Sequence, residues 1–360
     1  MTANDIRNIA LLGHGGSGKT SLAEQMLYMT KGTDRLGKTA DGNTTCDYDA
    51  EEIKRNISIS LAVAPVKYKN VKINVLDTSG HPDFICDTLS TMQAAEMALF
   101  VVDAVAGSQV MTTKLWREAE GMRLSRAVFI NHIDREHADF DMAMATLHAR
   151  FGSRLGPVTI PIGQDADFKG VIDIIRMEAR YFGEGDDSER IEPIPAEFAD
   201  AAQAARDKLC DLVAEADDEL MMKYLEGEEQ LTQDELESLL DKAIAQELFI
   251  PVFVGSTIIK QGIQGLMEDI CTYFPHPRSH GRFQMADGTG QPVHNGLLIL
   301  VDVAVGMGQA VGVQVGVLLL GQGFVNVIFH GSASFFKTFP IITDFSPHHK
   351  PTGGIFSDFL

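Results

Sequence analysis

The sequence predicts an α/β fold with a mostly parallel sheet, an inserted α+β section and a short β segment after it. Short apolar runs recur along the chain, each run ends in a polar or glycine-rich turn, and segments with helical periodicity lie between the runs. This pattern is typical of buried strands that alternate with amphipathic helices. With 360 residues, 45% of them hydrophobic, the chain can bury the cores of two or three domains.

The apolar runs are the candidate strands of the sheet. In chain order they are Ile9–Leu12, Ile73–Leu76, Leu99–Val102, Val128–Ile130 and Ile250–Val254. Between the fourth and fifth runs, apolar residues at helical offsets predict a helix over residues 140–151. Ligands of such folds bind beyond the carboxyl ends of the strands, so we expect the functional site among the turns that follow these runs.

The turn after the first run carries a phosphate-binding motif. It matches the pattern G-x-x-x-x-G-K-[ST] and continues into a predicted helix through Gly13, His14, Gly15, Gly16, Ser17, Gly18, Lys19, Thr20 and Ser21. Glycines let backbone N–H groups surround phosphate oxygens, and the helix directs its N-terminus at the anion. Lys19 can reach the β and γ phosphates of a nucleotide, and the Thr20 hydroxyl can bind Mg²⁺. The motif predicts nucleotide binding and leaves ATP and GTP open.

The second candidate strand ends in a segment that suits the same ligand. This segment consists of Asp77, Thr78, Ser79, Gly80 and His81. An aspartate at a strand end opposite the phosphate loop would hold Mg²⁺ through water, and the Gly80 N–H would contact the γ-phosphate. Taken alone, Asp77 would be interpreted as a loop or helix-capping aspartate and His81 as a surface histidine. The phosphate motif beside them favours the nucleotide-binding interpretation.

Two further turns resemble guanine-binding segments. After the fourth run come Asn131, His132, Ile133 and Asp134, similar to the motif N-K-x-D, and after the fifth come Gly255, Ser256 and Thr257. The carboxylate of Asp134 would accept two hydrogen bonds from the N1 and N2 edge of guanine, which adenine cannot supply. The Ser256 N–H would donate to guanine O6. Because His132 stands where the motif has lysine, strict selectivity for guanine stays open.

The negative charge of the chain, −20 in total, is concentrated in residues 151–280, which hold 27 acidic and 11 basic residues. Much of this charge lies on helix-like sequence between Pro195 and Leu248, where Thr232 and Glu235 match a capping box. An acidic helical face is usually a solvated one, and the alternative is a face that binds a basic protein. The net charge excludes a protein that binds DNA by neutralising phosphates.

Residues 281–360 differ in composition, with no charged residue between Asp302 and Lys337. Four valines from Val311 to Val317 alternate with glycine and glutamine, which predicts a strand. The segment Leu297–Leu320 is also apolar enough for a membrane helix, although Asp302 would be unfavourable in lipid. A disrupted reading frame would equally explain the abrupt change in composition.

In their order, these motifs resemble those of the translational GTPases, and of elongation factor G most closely, over about residues 5–280. Residues 77–84 (DTSGHPDF) are similar to the family's D-T-P-G-H-V-D-F, and residues 54–59 (KRNISI) to its E-R-G-I-T-I. The resemblance implies a P-loop NTPase G domain in residues 1–157 and 249–280, with an acidic inserted subdomain in 158–248. Residues 281–360 would be an atypical, truncated or disrupted start of the family's β-barrel domain.

The resemblance also implies an activity: hydrolysis of GTP to GDP and phosphate on the ribosome, with Mg²⁺ as cofactor. Ser58 takes the place of the switch threonine that binds Mg²⁺, beside Thr20 and, through water, Asp77. His81 takes the place of the histidine that positions the attacking water. The acidic insertion would face the basic stalk protein of the ribosome.

Several residues depart from the family pattern. Gly16 replaces an aspartate of the phosphate loop, Asn56 a switch glycine, Ser79 a proline and Pro82 a valine. The hydrolysis rate is therefore open, and the alternative is a non-catalytic module that binds GTP and the ribosomal stalk. Without the family's later domains, we do not expect translocation.

Cysteine spacing and the N-terminal sequence indicate the compartment. Four cysteines lie far apart, without the spacing of a disulfide framework or a zinc site. The start of the chain lacks the apolar segment of a signal peptide, because a glycine loop follows Ile9–Leu12 at once. We therefore expect a cytoplasmic protein without membrane attachment.

Overall fold

The computed structural model describes residues 2–182, 189–226 and 231–279, together with five strands between residues 283 and 342. The chain divides into two compact units. The larger unit is Asp5–His276, and the second consists of Met1–Asn4 and Pro277–Leu360.

Strands and helices alternate along the larger unit, as the sequence predicts. The strands are β1 Ile6–Leu12, β2 Ala62–Tyr68, β3 Val71–Asp77, β4 Met97–Asp103, β5 Ser125–Asn131, β6 Leu155–Pro157, β7 Thr159–Ile162, β8 Gly170–Asp173, β9 Glu178–Phe182, β10 Glu189–Glu192 and β11 Ile250–Val254. The helices are α1 Lys19–Met29, α2 Ala50–Arg55, α3 Ile85–Met92, α4 Val110–Gly121, α5 Phe140–Phe151, α6 Ala199–Val213, α7 Asp218–Glu226, α8 Gln233–Ala245 and α9 Ile263–Tyr273.

Seven of these strands form the central sheet, in the order β2-β3-β1-β4-β5-β11-β6. Neighbouring strands run parallel except β2 and β3, which are antiparallel. Every residue of β1, β4, β5 and β11 is buried, which explains why these strands appear in the sequence as continuous apolar runs. The predicted α/β fold with a mostly parallel sheet is confirmed.

Four of the strands, β1, β3, β4 and β5, begin earlier than their apolar runs. In β1 the added residues include Arg7 and Asn8, which are polar, buried and hydrogen-bonded. Asn74 of β3 donates a hydrogen bond from Nδ2 to Asn8 Oδ1 of β1, 2.7 Å away. Arg7 donates to the carbonyl oxygen of Cys271 in α9 at 2.8 Å. Such pairing removes most of the free-energy cost of placing polar groups in a core strand.

Local signals fix the helix ends. The predicted helix over residues 140–151 is α5, which begins after Asp139, whose carboxylate accepts a hydrogen bond from the Met142 N–H. The predicted capping box opens α8: the Thr232 hydroxyl accepts from the Glu235 N–H, and the Glu235 carboxylate accepts from the Thr232 N–H. Both predictions are confirmed.

Between β6 and β11 the chain forms an insertion of a second sheet and the helices α6 to α8. The sheet is antiparallel in the order β10-β9-β8-β7, so the insertion has the predicted α+β character. A buried ion cluster joins this sheet to α9. Arg180 of β9 lies 2.8 Å from Glu268 of α9 and 3.0 Å from Glu189 of β10, and Arg176 lies 2.8 Å from Asp269 of α9.

Burial governs the protonation of this cluster. It raises the pKa of Glu189 and of Asp269 to about 7, although nearby arginines oppose the shift. Repulsion between carboxylates adds to the effect of burial, because in the described part of the chain two guanidinium groups contact five carboxylates there. These belong to Asp173, Glu178, Glu189, Glu268 and Asp269.

The second unit contains the predicted β segment. Its described strands pair antiparallel in sequence order and are β12 Phe283–Ala286, β13 Pro292–Leu300, β14 Gln314–Leu320, β15 Phe324–His330 and β16 Thr338–Ile342. Strand β14 includes the last two alternating valines, whereas Val311, Val313 and Asp302 lie outside the described residues.

The membrane-helix alternative for Leu297–Leu320 is not supported. The described parts of this segment are strands, belonging to β13 and β14. Across the residues that the structure describes, no helix has both the length and the apolar character needed to cross a membrane.

Candidate nucleotide-binding site

The carboxyl ends of four parallel strands gather the predicted site residues at one edge of the sheet. Strands β1, β3, β4 and β5 are neighbours. The turns after β1, β3 and β5, together with residues of the segment between α1 and β2, line a cavity of about 260 Å³. Its lining consists of Gly15, Gly16, Gly18, Lys19, Thr20, Ser21, Thr39, Asn56, Ile57, Ser58, Ser79, Gly80, His81, His132 and Arg135.

The phosphate loop runs from the end of β1 to the start of α1 in the conformation that its glycines allow. Gly18, the residue before α1, has a φ of +95°, a left-handed conformation that side chains rarely adopt. A Cβ atom at Gly18 would collide with the side-chain amide of Asn131, and one at Gly13 with the carbonyl oxygen of Val101. The loop therefore packs closely against the ends of β4 and β5.

Lys19 is almost completely buried beneath this loop. Its ammonium donates to the carbonyl oxygen of His14 at 3.0 Å, and burial lowers the pKa of Lys19 to about 8. Burial and the charges of Lys19 and His81 also lower the pKa of His14. A buried ammonium that contacts neutral carbonyl oxygens would gain strongly from an anion in the cavity.

Oxygen ligands suited to Mg²⁺ cluster beside Lys19. The Thr20 and Ser58 hydroxyl oxygens are 2.9 Å apart, and the Ser58 hydroxyl donates to Asp47 at 2.7 Å. Asp77 is buried, and one of its carboxylate oxygens has no hydrogen-bond partner. Burial raises the pKa of Asp77 to about 7, helped by the charge of Asp47 and opposed by a hydrogen bond from Thr20 and by the charge of Lys19.

This donor set fits a magnesium ion that is shared with a nucleotide. Mg²⁺ prefers oxygen ligands and is usually held by one or two carboxylates or hydroxyls together with phosphate oxygens and water. Within the described residues, no group of three His, Cys, Asp or Glu side chains could hold a metal by itself. Asp47 was not among the predicted ligands, because only the folded switch segment brings it to Ser58.

The segment after β3 closes one side of the cavity. The Thr78 hydroxyl donates to the carbonyl oxygen of Leu11, and Gly80 packs so closely on the phosphate loop that a Cβ there would lie 2.5 Å from both the Gly15 nitrogen and the Lys19 ammonium. His81 lies at the rim, its side chain 47% exposed, with Nδ1 accepting from the Asp83 N–H at 3.4 Å. Its imidazole is thus accessible to water beside the cavity.

Asn131 joins three loops that are distant in the sequence. Its side-chain amide donates to the Ser17 carbonyl oxygen at 2.9 Å, and its side-chain oxygen accepts from the Thr257 N–H at 3.0 Å. Asp134, three residues later, has a buried carboxylate oxygen without a hydrogen-bond partner. The sequence predicts the Asp134 carboxylate as the acceptor for a guanine edge, and Asp134 is not among the residues that line the cavity.

One predicted contact in this region needs correction. The Ser256 N–H donates to the carbonyl oxygen of Gln261 at 3.0 Å, closing the turn after β11, and so is not free to donate to guanine O6. The Ser256 hydroxyl accepts from the N–H groups of Ile258 and Ile259 instead. Ser256 therefore shapes the loop, and its predicted role as an N–H donor to the base is wrong for this conformation.

The loop after β11 is also hydrogen-bonded to the insertion. The side-chain amide of Gln261 donates to the Phe182 carbonyl oxygen at 3.0 Å and accepts from the Phe182 N–H at 2.9 Å. The Lys260 ammonium lies 4.9 Å from the ring centre of Tyr28 in α1 and 5.5 Å from that of Phe182 in β9. The inserted sheet is thus in direct contact with the loop after β11.

The side chain of His132 contacts Asp103, the last residue of β4, which was not among the predicted site residues. Its Nδ1 lies 2.7 Å from Asp103 Oδ2, and Arg135 donates to the same oxygen at 3.1 Å. Burial would raise the pKa of Asp103, but hydrogen bonds from His132 and from two backbone N–H groups outweigh it and lower that pKa. The position of Asp103, in a polar turn after a buried strand, is the signal that could have found it.

Comparisons with known proteins agree with this geometry. A structural comparison finds a crystal structure from Thermus thermophilus, with a TM-score of 0.76 and 28% sequence identity over 94% of this chain. The match covers 51% of that protein, so this chain spans about half of its length. Residues 4–276 match the family model described as the elongation factor Tu GTP binding domain. The chain therefore belongs to this family of GTP-binding domains, that of the translational GTPases.

Proposed function

We propose that this chain binds GTP together with Mg²⁺, hydrolyses it to GDP and phosphate, and acts on the ribosome as a protein of the elongation factor G type. The supporting observation is the convergence of the phosphate loop, the segment after β3 and the loop after β5 on one cavity. The cavity combines a buried ammonium for phosphates with carboxylate and hydroxyl oxygens for a metal.

The phosphate end performs the chemistry in this proposal. Backbone N–H groups of residues 15–20 and the Lys19 ammonium bind the β and γ phosphates. Thr20, Ser58 and, through water, Asp77 would hold Mg²⁺, which would supply positive charge to the phosphate oxygens when bound. His81 positions the attacking water, and its place at the rim suits a residue that turns inward when a partner orders the segment.

The base end selects the nucleotide. Asp134 accepts hydrogen bonds from the N1 and N2 edge of guanine, while Asn131 keeps its loop in register with the phosphate loop and with Thr257. We also propose that the base lies close to Ile133, Gly255, Ser256 and Thr257, the other residues of the two loops. We propose GTP over ATP on this basis, because adenine lacks the donors that Asp134 requires.

The insertion supplies the partner surface. Helices α6 to α8 carry many of the acidic residues of 151–280, and a basic ribosomal stalk protein would be electrostatically complementary to them. Residues 1–157 and 249–280 would form the G domain, 158–248 the insertion and 281–360 a separate tail. Action on the ribosome implies a cytoplasmic location and no use of DNA.

A second candidate function is GTP binding without efficient turnover. The exposed position of His81 and the replacement of family residues by Ser79 and Pro82 favour it. The change at Asn56 does not, because Asn56 ends α2 with a φ of +52°, a left-handed conformation that asparagine adopts more readily than most residues other than glycine.

Single-turnover hydrolysis of γ-labelled GTP, with and without ribosomes, tests the proposal. We expect ribosomes to accelerate hydrolysis by wild type, and His81→Ala to lose most of that acceleration while its affinity for GTP is unchanged. His148→Ala, on the exposed end of α5, is the matched control. If the rate of hydrolysis is the same with and without ribosomes, and the same in wild type and His81→Ala, the non-catalytic module is favoured. Displacement of labelled GTP by excess ATP would contradict guanine selection.

A further inference from the structure

The side chain of Glu52, on α2, holds the backbone beside Ser58. Glu52 Oε1 accepts hydrogen bonds from the Ile59 N–H at 2.8 Å and from the Ser60 N–H at 2.9 Å. On the other side of Ser58, the Ile57 N–H donates to the backbone carbonyl oxygen of Glu52 at 3.2 Å. Glu52 thus contacts both chain neighbours of Ser58, which itself lines the cavity.

Helix capping accounts for only part of this bonding. Glu52 Oε2 accepts from the Asp49 N–H at 2.9 Å, which is the capping box at the start of α2. That role needs one carboxylate oxygen and leaves Oε1 for other donors. Glu52 is 1% exposed, whereas the side chain of its neighbour Glu51 is 50% exposed. A buried carboxylate is costly unless hydrogen bonds replace its water, and three backbone N–H groups do so here.

A second carboxylate continues the attachment along the chain. Asp87 of α3 accepts from the Leu61 N–H at 2.7 Å, so three successive N–H groups after Ser58 bind carboxylates from two helices. Each of these bonds restricts the backbone dihedral angles of the segment that carries Ser58. Of the two carboxylate residues, Glu52 is the one that holds the chain on both sides of Ser58.

We propose that Glu52 is the positioning residue for Ser58 and places its hydroxyl where it can bind the Mg²⁺ of a bound nucleotide. The inference rests on the proposed function, in which Ser58 is a magnesium ligand. Residues that orient a metal ligand without touching the metal contribute to metal affinity, because the ligand is then pre-organised. Without Glu52, Ser58 keeps its hydroxyl, but part of the free energy of metal binding is used to order the segment.

Magnesium titrations of a fluorescent GTP analogue, carried out on the full chain, test this role. We expect Glu52→Ala to require about fivefold more Mg²⁺ than wild type for half-maximal binding, because hydrogen bonds that order the segment are lost. Asp49→Ala is the matched control, since it removes the other half of the capping box and leaves the bonds from Ile59 and Ser60 to Glu52 in place. It should need as much Mg²⁺ as wild type. An equal increase in both variants, or no increase in Glu52→Ala, would overturn the inference.

A double variant shows whether Glu52 acts through Ser58. Ser58→Ala alone should raise the Mg²⁺ requirement about tenfold. Adding Glu52→Ala should raise it no further, since the hydroxyl that Glu52 positions is already gone. Independent effects would instead multiply to about fiftyfold, and that result would also overturn the inference.

Glu52→Gln is the variant that best preserves the fold. Glutamine keeps the size of the side chain and one acceptor oxygen, whose two lone pairs suffice for the Ile59 and Ser60 N–H groups. We expect it to need less than about twofold more Mg²⁺ than wild type. A requirement as high as that of Glu52→Ala would contradict positioning by these hydrogen bonds. Failure of wild type and every variant to bind the GTP analogue at any Mg²⁺ concentration would overturn the proposed function, and this inference with it.

Discussion

The hydroxyl oxygens of Thr20 and Ser58 lie 2.9 Å apart, although 38 residues separate them in the chain. Thr20 stands in the first turn of α1, and Ser58 follows α2 in the segment that resembles a switch. Asp47 accepts from the Ser58 hydroxyl and so completes a chain of three oxygen-bearing side chains. The switch segment is thus docked on the phosphate loop by the same oxygens that we propose as magnesium ligands.

Replacing Ser58 by alanine should therefore weaken the response to Mg²⁺. We expect Ser58→Ala to require about tenfold more Mg²⁺ for half-maximal GTP binding, because one hydroxyl contact to a charged group is lost. Ser58→Thr should restore the wild-type requirement, and Ser60→Ala is the nearby control. Magnesium titrations of a fluorescent GTP analogue measure all four proteins. Equal requirements in wild type and Ser58→Ala would show that Ser58 is not a ligand.

Removal of the Lys19 ammonium should abolish most of the affinity for nucleotide. We expect Lys19→Ala to bind GTP about 100-fold more weakly, since charge-assisted hydrogen bonds to phosphate are lost in a buried site. Lys114→Ala, which removes an exposed lysine of α4, should bind as wild type does. Calorimetric titration of both variants is decisive, and unchanged affinity of Lys19→Ala would refute phosphate binding by this loop.

We expect the ion cluster around Arg180 to stabilise strongly the contact between the inserted sheet and α9. Arg180→Met leaves the carboxylates of Glu189 and Glu268 buried without this partner, and we expect a loss of about 3–5 kcal/mol in the free energy of unfolding. Arg190→Met removes an exposed pair with Glu192 and should cost less than about 1 kcal/mol. Urea unfolding followed by circular dichroism compares the two. Similar losses in both variants would show that the buried cluster contributes no more to stability than an exposed ion pair.

Glu189 should make this stability depend on pH. Burial raises its pKa to about 7, above the ordinary value of 4.5 in the unfolded chain. Such a carboxyl stabilises the fold while protonated, so its contribution is complete below about pH 4 and is lost as pH rises through about 7. Glu189→Gln stays neutral, and relative to wild type it should gain about 1–2 kcal/mol between pH 5 and pH 8. Glu192→Gln should show no such gain.

Much of the fold and part of the site could be predicted from local sequence. The apolar runs predicted β1, β3, β4, β5 and β11, because strands buried on both faces are apolar along most of their length. The phosphate loop was recognisable because its glycines are needed by the backbone itself. Both signals depend on residues that are close together in the chain.

The remainder depends on contacts that no local pattern contains. Asp103 meets His132 across 29 residues, and Arg180 meets Glu268 across 88. Nothing in the spacing of these residues predicts the pairs, since their meeting is decided by the order of strands in the sheets. The same reason explains the error at Ser256, whose N–H is used by the fold of its own loop.

The place of β11 in the sheet affects how this protein emerges during its own synthesis. This strand bonds to β5 on one side and to β6 on the other, and the Thr257 N–H just beyond it completes the bonding of Asn131. Until β11 has been made, β5 lacks its neighbour on that side of the sheet and the Asn131 side-chain oxygen lacks the Thr257 N–H. These contacts can therefore form only late in synthesis, after the whole insertion has already appeared.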